Sequence, residues 1–194
     1  MARASKHDWL REGLRILAEQ GAPALTIDRL ASALGLTKGS FYHHFQGLPG
    51  YKAALLDFVE EVMADRVSAA TAVAATPLDG MTRLFDSTVV EASPFEVALR
   101  AWALQDEEVR AVQERVDDHR FATVHSFCRQ VVGDEERALV MSRLAQALMI
   151  GGSQLQPPLI PAARRQLIIE FLRLYDLDER ALRSFAWGTD HDPA

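Results

Sequence analysis

Residues 25–45 read "LTIDRLASALGLTKGSFYHHF", and this stretch decides how the chain folds. Thr26 and Thr37 each precede a short run with apolar residues at helical spacing, where a threonine hydroxyl can accept backbone N–H groups that a helix start leaves open. Ile27, Leu30, Ala31 and Leu34 make one inward stripe, and Gly35 ends it. In the next run, about 100° per residue sets Phe41 and Phe45 on one side and Gly39 and His43 on the other. The first side wants a core. The second carries Lys38, Ser40, Tyr42 and His43, which are donors and a cation grouped around a glycine that lets a large partner approach the backbone.

Two short helices joined by "LGLT" meet the packing needs of a helix-turn-helix. Ala31 is small where the helices cross, Gly35 makes the turn, and Leu30, Leu34, Leu36 and Phe41 fill the space between them. Upstream, Trp9, Leu10, Leu14, Leu17 and Ala18 predict a first helix stopped by Gly21 and Pro23. Downstream, a fourth helix begins near Leu48 to Tyr51 and runs through Leu55, Phe58, Val59 and Met63 to about Ala75, where "TPLDG" reads as a break. Further helices are expected over 81–91, 94–104, 106–132, 134–155 and 162–175, with a short one around 178–186 and a fraying "GTDHDPA" tail. The pattern is all-α: a three-helix head over 1–47 and a helical body over 48–194, of which 48–76 is the connecting helix.

Composition bounds the rest. At 194 residues and 48% hydrophobic content the chain can bury a sizeable core without staples. Its one cysteine, Cys128, excludes an internal disulfide and suits a reducing cytoplasm. The polar start "MARASKHDWLREGL" is no signal peptide, and no apolar run approaches the ~20 residues of a membrane span, so a cytoplasmic protein with no membrane partner is expected. The net charge of −6 argues against a general polyanion binder, but it is unevenly spread. Arg3, Lys6, Arg11, Arg15, Arg29 and Lys38 face Asp8, Glu12, Glu19 and Asp28 in the head, a balance of +2, which leaves −8 for the body. His119 and His125 are six apart, hence on different helix faces, and paired cysteines, His-Glu-x-x-His and Gly-rich phosphate loops are missing. No metal, cofactor or enzymatic activity is expected. Asp106, Glu107, Glu108, Asp117 and Asp118 lie among Arg110, Arg115 and Arg120 at helix-pair spacing and read as a solvated surface.

Through Ala31, Gly35, Leu36, Gly39, Phe41, Tyr42, His44 and Phe45, with matching spacing, the sequence resembles the TetR family of one-component repressors. The resemblance is strong over roughly 8–60 and implies a three-helix DNA-binding head joined by a fourth helix to an all-α ligand-binding and dimerisation domain. It assigns backbone contacts to Tyr42 and His44, and the groove-facing positions to Lys38, Ser40 and His43. With the two caps and Gly39, the expected DNA-binding set is Thr26, Thr37, Lys38, Gly39, Ser40, Tyr42, His43, His44 and Lys52. Lys52 enters because the family commonly carries a lysine where this chain has Leu48, one helical turn earlier.

For the body, the resemblance implies that two helices pair with their twofold mates. The stripes Met141, Leu144, Ala145, Leu148, Gly152 and Leu167, Ile168, Phe171, Leu174 are the candidate dimer interface. It also places a cavity among the fourth to eighth helices, for which Phe58, Met63, Phe85, Phe95, Trp102, Phe121 and His125 are candidates, with Arg100 or Gln105 as polar groups. The partners so implied are double-stranded DNA, a second copy of the chain and a small hydrophobic effector. One rival reading is a helical small-molecule-binding or catalytic protein whose head no longer binds DNA. A constitutive architectural DNA binder is disfavoured by so large an acidic body.

Overall fold

The computed structural model describes residues 4–90, 94–175 and 177, and among them nine α-helices and no strand. The helices are α1 (Lys6–Gln20), α2 (Ile27–Leu34), α3 (Lys38–His44), α4 (Gly47–Ala72), α5 (Pro77–Val90), α6 (Pro94–Ala103), α7 (Glu107–Val132), α8 (Glu135–Gln154) and α9 (Pro161–Arg173), with a 3-10 turn at Ala22–Ala24. The fold is all-α with an N-terminal helix-turn-helix. The short helix expected around 178–186 and the tail after it lie outside the described residues, as does Glu91 at the end of the fifth expected helix.

Local chemistry sets the head's boundaries. Ser5 opens α1 with a reciprocal cap: its hydroxyl accepts from the Asp8 N–H, and the Asp8 carboxylate accepts from the Ser5 N–H at 2.8 Å. Thr26 accepts from the Arg29 N–H and Thr37 from the Ser40 N–H, so both threonines cap as their positions require. Between the two helices Gly35 takes φ +64, the left-handed conformation that costs other residues energy, and the Leu36 N–H reaches back to the Ala31 carbonyl.

By contact density the chain divides into two compact units, 1–66 with 92–119 and 67–91 with 120–194. In the first, α1 packs against α2 and α6 around Trp9, Ile16, Leu17, Leu30, Phe41, Tyr51, Leu55 and Val59, all almost wholly buried. Each such side chain contributes roughly 1.5–3 kcal/mol by leaving water. Its densest part is aromatic: Phe41 meets Trp9 at 5.4 Å, Phe45 at 5.1 Å and Tyr51 at 5.5 Å between ring centroids. The Tyr51 hydroxyl donates to the Trp9 carbonyl at 2.9 Å and passes so close to α1 that a Cβ at Gly13 would overlap it. Burial pushes the Tyr51 hydroxyl's pKa well up, which keeps it a neutral donor.

In the second unit α5, α8 and α9 pack together around Met81, Leu84, Phe85, Met141, Ala145, Phe171 and Leu172, with Val124 and Cys128 from α7. The segment "TPLDG" is not a simple break. Pro77 is the first residue of α5, Asp79 lies in the first turn, and the Thr76 hydroxyl accepts the Asp79 N–H at 3.1 Å. Proline lacks only an N–H that the first turn leaves open anyway, so the segment starts α5, while α4 has already ended at Ala72.

Candidate nucleic-acid interface

Helix α3 is anchored by two aromatic side chains and presents the rest outward. Phe41 is 0% and Phe45 4% exposed, whereas Tyr42 is 59% exposed. Thr37, Lys38, Gly39 and His43 are exposed, as is Thr26 at the start of α2, and Ser40 is half-buried. The helical phase read from the sequence is the phase observed.

Three of the candidate residues, His44, Lys38 and Lys52, have partners that change what they offer. Half-buried His44 brings its Nε2 to 3.1 Å from the Ala4 carbonyl. A carbonyl only accepts, so Nε2 carries the proton and His44 fastens the chain ahead of α1 to the end of α3. Its ring also stands 5.1 Å from that of His43. Lys38, the first residue of α3, is paired with Asp28 in the first turn of α2, Nζ to Oδ1 at 2.6 Å. The Asp28 carboxylate raises the pKa of the Lys38 ammonium.

Lys52 is engaged elsewhere. Its ammonium lies 2.8 and 2.7 Å from the two Asp106 oxygens and 2.8 Å from Glu108 Oε2, and stands 5.9 Å over the Trp102 ring. With two carboxylates on it, Lys52 is a poor stand-in for the lysine replaced by Leu48. Of the acids expected on a solvated surface, Glu107, Glu108 and Asp118 are exposed, whereas Asp106 and Asp117 are not. Asp106 is half-buried and ties α4 to the turn between α6 and α7, Asp117 holds Arg100 of α6, and Arg115 holds Glu60 of α4. These are bridges between helices, where the sequence spacing suggested pairs within one. Arg100 is accordingly occupied by Asp117, and Gln105 is exposed.

The candidate ligand residues divide between the units. In the first, Met63 and Phe95 are buried in the core, half-buried Phe58 meets the His7 ring at 5.6 Å, and Arg66 lies 5.6 Å over Phe95. Trp102 is half-buried and lines a cleft of about 440 Å³ with Leu25, Leu48, Tyr51, Lys52 and Leu55. In the second, Phe85 is buried against Phe171 at 5.8 Å, and Phe121 stacks on His125 at 5.7 Å with the rings 9° from parallel. His125 Nε2 lies 3.5 Å from Glu135 Oε1.

The candidate dimer residues separate by exposure. Met141, Ala145, Gly152 and Phe171 are covered within the chain itself, and Leu148 and Ile168 are half-buried against the same core. Leu144, Leu167 and Leu174 are exposed, as is Val140 one turn before Leu144. Among the described residues no group of three or more His, Cys, Asp or Glu side chains stands ready to hold a metal ion, and no helix is long and apolar enough to cross a membrane.

Residues 10–56, from the first helix into the fourth, match the family model described as bacterial regulatory proteins, tetR family. Over these residues the chain carries a head of the tetR type. No curated protein matches it in sequence. Solved structures share the fold along nearly its whole length. A TetR-family transcriptional regulator from Streptomyces coelicolor aligns with a TM-score of 0.73 at 20% identity, covering 93% of this chain and 90% of that one. A transcriptional regulator from Saccharomonospora viridis in complex with choline gives 0.71 at 18%, covering 87% and 95%. The ketosteroid transcriptional regulator of Mycobacterium tuberculosis gives 0.61 at 16%, covering 89% and 95%. Identities this low carry the fold alone, and the likeness to the tetR family in sequence rests on the head.

Sequence reasoning missed Asp28, Asp106 and Glu108. An acid in a helix's first turn is ordinary on electrostatic grounds, so nothing in the string marks Asp28 as the partner of a lysine ten residues on.

Proposed function

We propose that this protein is a TetR-family, ligand-responsive repressor that binds a near-palindromic operator as a homodimer and leaves it when a small hydrophobic effector binds. The observation that carries the reading is α3, where buried Phe41 and Phe45 leave Lys38, Gly39, Tyr42 and His43 exposed on one rigid short helix. Tyr42 then holds a phosphate, His44 braces the end of α3 through the Ala4 carbonyl, and Lys38, Ser40 and His43 address base edges. Residues 1–47 serve as the reading head, and 48–194 as the ligand-binding and dimerising body.

Effector response is supported by the fold's use in relatives named for a ketosteroid or solved with choline, and by the apolar cleft beside Trp102. Coupling has a physical route within the first unit. Lys52 ties α4 to the α6–α7 turn, and α4 follows α3 after Phe45 and Gln46 alone. A ligand that rearranges that turn is therefore felt at the base of the reading helix, to the extent of its differential affinity for the two states. Regulators of this family are generally non-enzymatic, and nothing in the site calls for catalysis.

Selection from random duplexes tests the reading. The dimer is expected to recover a near-palindromic motif with half-sites about one DNA turn, ~34 Å, apart. Salt dependence should be shallow, because few cations reach phosphate and each contributes about 0.9 to the slope. Recovery of no common motif by folded dimer overturns the repressor reading. It would favour the rival in which the head is inert, a reading to which the engaged Lys52 lends weight.

A further inference from the structure

The lysine at the tip of the reading helix is not presented alone. Lys38 is the first residue of α3, where the positive end of the helix dipole disfavours a cation, so helix stability gives no reason for a lysine there. Asp28 occupies the first turn of α2, where the dipole favours an anion, and its Oδ1 sits 2.6 Å from Lys38 Nζ. Both side chains are open to solvent, 60% and 74% exposed. An ion pair so exposed contributes little to stability. What it does is set a donor and an acceptor side by side at the tip of the helix that faces the groove.

We propose that Lys38 and Asp28 act as one reading unit for a G·C base pair, the ammonium donating to guanine O6 and N7 and the carboxylate accepting from the cytosine N4 amine. The inference rests on the DNA-binding reading above and deepens it. Guanine offers an ammonium two neighbouring acceptors in the major groove, whereas adenine offers one beside its own N6 donor. Across the same G·C pair the cytosine amine is a donor next to guanine O6, and a carboxylate can accept from it. A lysine by itself is less selective, since it also bonds phosphate oxygens or thymine O4. The carboxylate beside it narrows that choice in two ways: it holds the ammonium in place, and it is repelled by phosphates, so the pair binds productively only where a base edge supplies a donor. Asp28 is thus a specificity-determining residue that lowers general affinity for duplex DNA.

The test compares the full-length protein with Asp28→Ala, Asp28→Asn and Lys38→Ala on the duplex selected by the wild type, on that duplex with each base pair changed in turn, and on an unrelated duplex. The wild type is expected to show one position per half-site where G·C is preferred over A·T by roughly 5- to 150-fold, the range a good side-chain to base pairing supplies. Lys38→Ala should abolish the preference there. Both Asp28 variants should reduce it at the same position while binding the unrelated duplex more tightly, with a salt slope steeper by about 0.9 as Lys38 turns to phosphate. Unfolding temperatures should stay level, because neither side chain is buried. If Lys38→Ala removes a base preference that the Asp28 variants leave intact, Lys38 reads alone and the inference is overturned. It is equally overturned if the affected position prefers A·T. A wild type that selects no motif at all would defeat the DNA-binding reading itself, and is told apart by appearing before any variant is made.

Discussion

Two tyrosines nine residues apart show how burial sorts structure from function at the scale of a side chain. Tyr51 is 1% exposed and its hydroxyl donates to the Trp9 carbonyl, 42 residues earlier in the chain. Tyr42 is 59% exposed beside Lys38 and His43. Removing the hydroxyl should therefore have opposite consequences. Tyr51→Phe is expected to lower unfolding stability by about 1 kcal/mol through loss of a buried hydrogen bond, with operator affinity unchanged at temperatures where the protein is folded. Tyr42→Phe should leave thermal unfolding unmoved and weaken binding on every duplex alike, since a phosphate contact carries no sequence information. Calorimetry and a binding titration on both variants check it; a stability loss confined to Tyr42→Phe would place Tyr42 in the core. Helical phase made this division legible beforehand, because Phe41 and Phe45 fix which way their neighbours point. It could not show that His44 reaches Ala4 or that Lys38 meets Asp28, since those contacts depend on how separate segments pack.

At the scale of helices, caps and periodicity located α1 to α4 and most of the body, because Thr26, Gly35 and Thr37 act on their own immediate neighbours. What they could not give was the tie between α4 and the α6–α7 turn, made by residues 54 apart. That tie has a defined pH range. Hydrogen bonding from Lys52 holds the Asp106 carboxyl below its ordinary value of 3.8, outweighing the opposing effect of burial. For Lys52, burial alone would lower the ammonium's pKa, but the hydrogen bonds to Asp106 and Glu108 leave it raised. A carboxyl with a depressed folded pKa contributes stability that is fully present above its unfolded value and lost as pH falls through the folded one. A raised ammonium loses its contribution only as pH climbs beyond its ordinary 10.5. The tie should hold across neutral pH and open on the acid side, below the ordinary carboxyl value. Because the Lys52 ammonium stands over Trp102, the emission component removed by Trp102→Phe should shift as the pH drops below about 4. Asp106→Asn should show the acid-side spectrum already at pH 7. An unchanged spectrum in that variant would mean that Lys52 does not depend on Asp106 for its place above the ring.

At the scale of the whole molecule, sequence periodicity stops being decisive, because a stripe of apolar residues looks the same whether its own chain or a second copy covers it. Helices α8 and α9 make the point. The stripes proposed for the dimer contain Met141, Ala145 and Phe171, which the chain's own core has already buried, alongside Leu144, Leu167 and Leu174, which remain exposed. The surface left for the proposed partner is therefore the outward row of Val140 and Leu144 on α8, Leu167 on α9 and Leu174 at its C-terminal cap. Part of that surface is already concave, since Val140, Leu144, Leu174 and Tyr175 line a groove of about 430 Å³. A stable interface needs roughly 1,200–2,000 Å² of total buried area, so these residues would form its centre and their polar surroundings its rim. Leu144→Glu and Leu167→Glu should each convert the dimer to a folded monomer in sedimentation without lowering the monomer's helix content, because neither side chain supports the intrachain core. Met141→Glu, by contrast, should unfold the second unit. If, as proposed, one head holds one half-site, the two monomeric variants should lose operator affinity by about 10²–10⁴-fold, the gain that a second tethered contact supplies. A wild type that sediments as a monomer while binding the full operator would remove the dimer from the mechanism, and two dimeric glutamate variants would move the interface to another face.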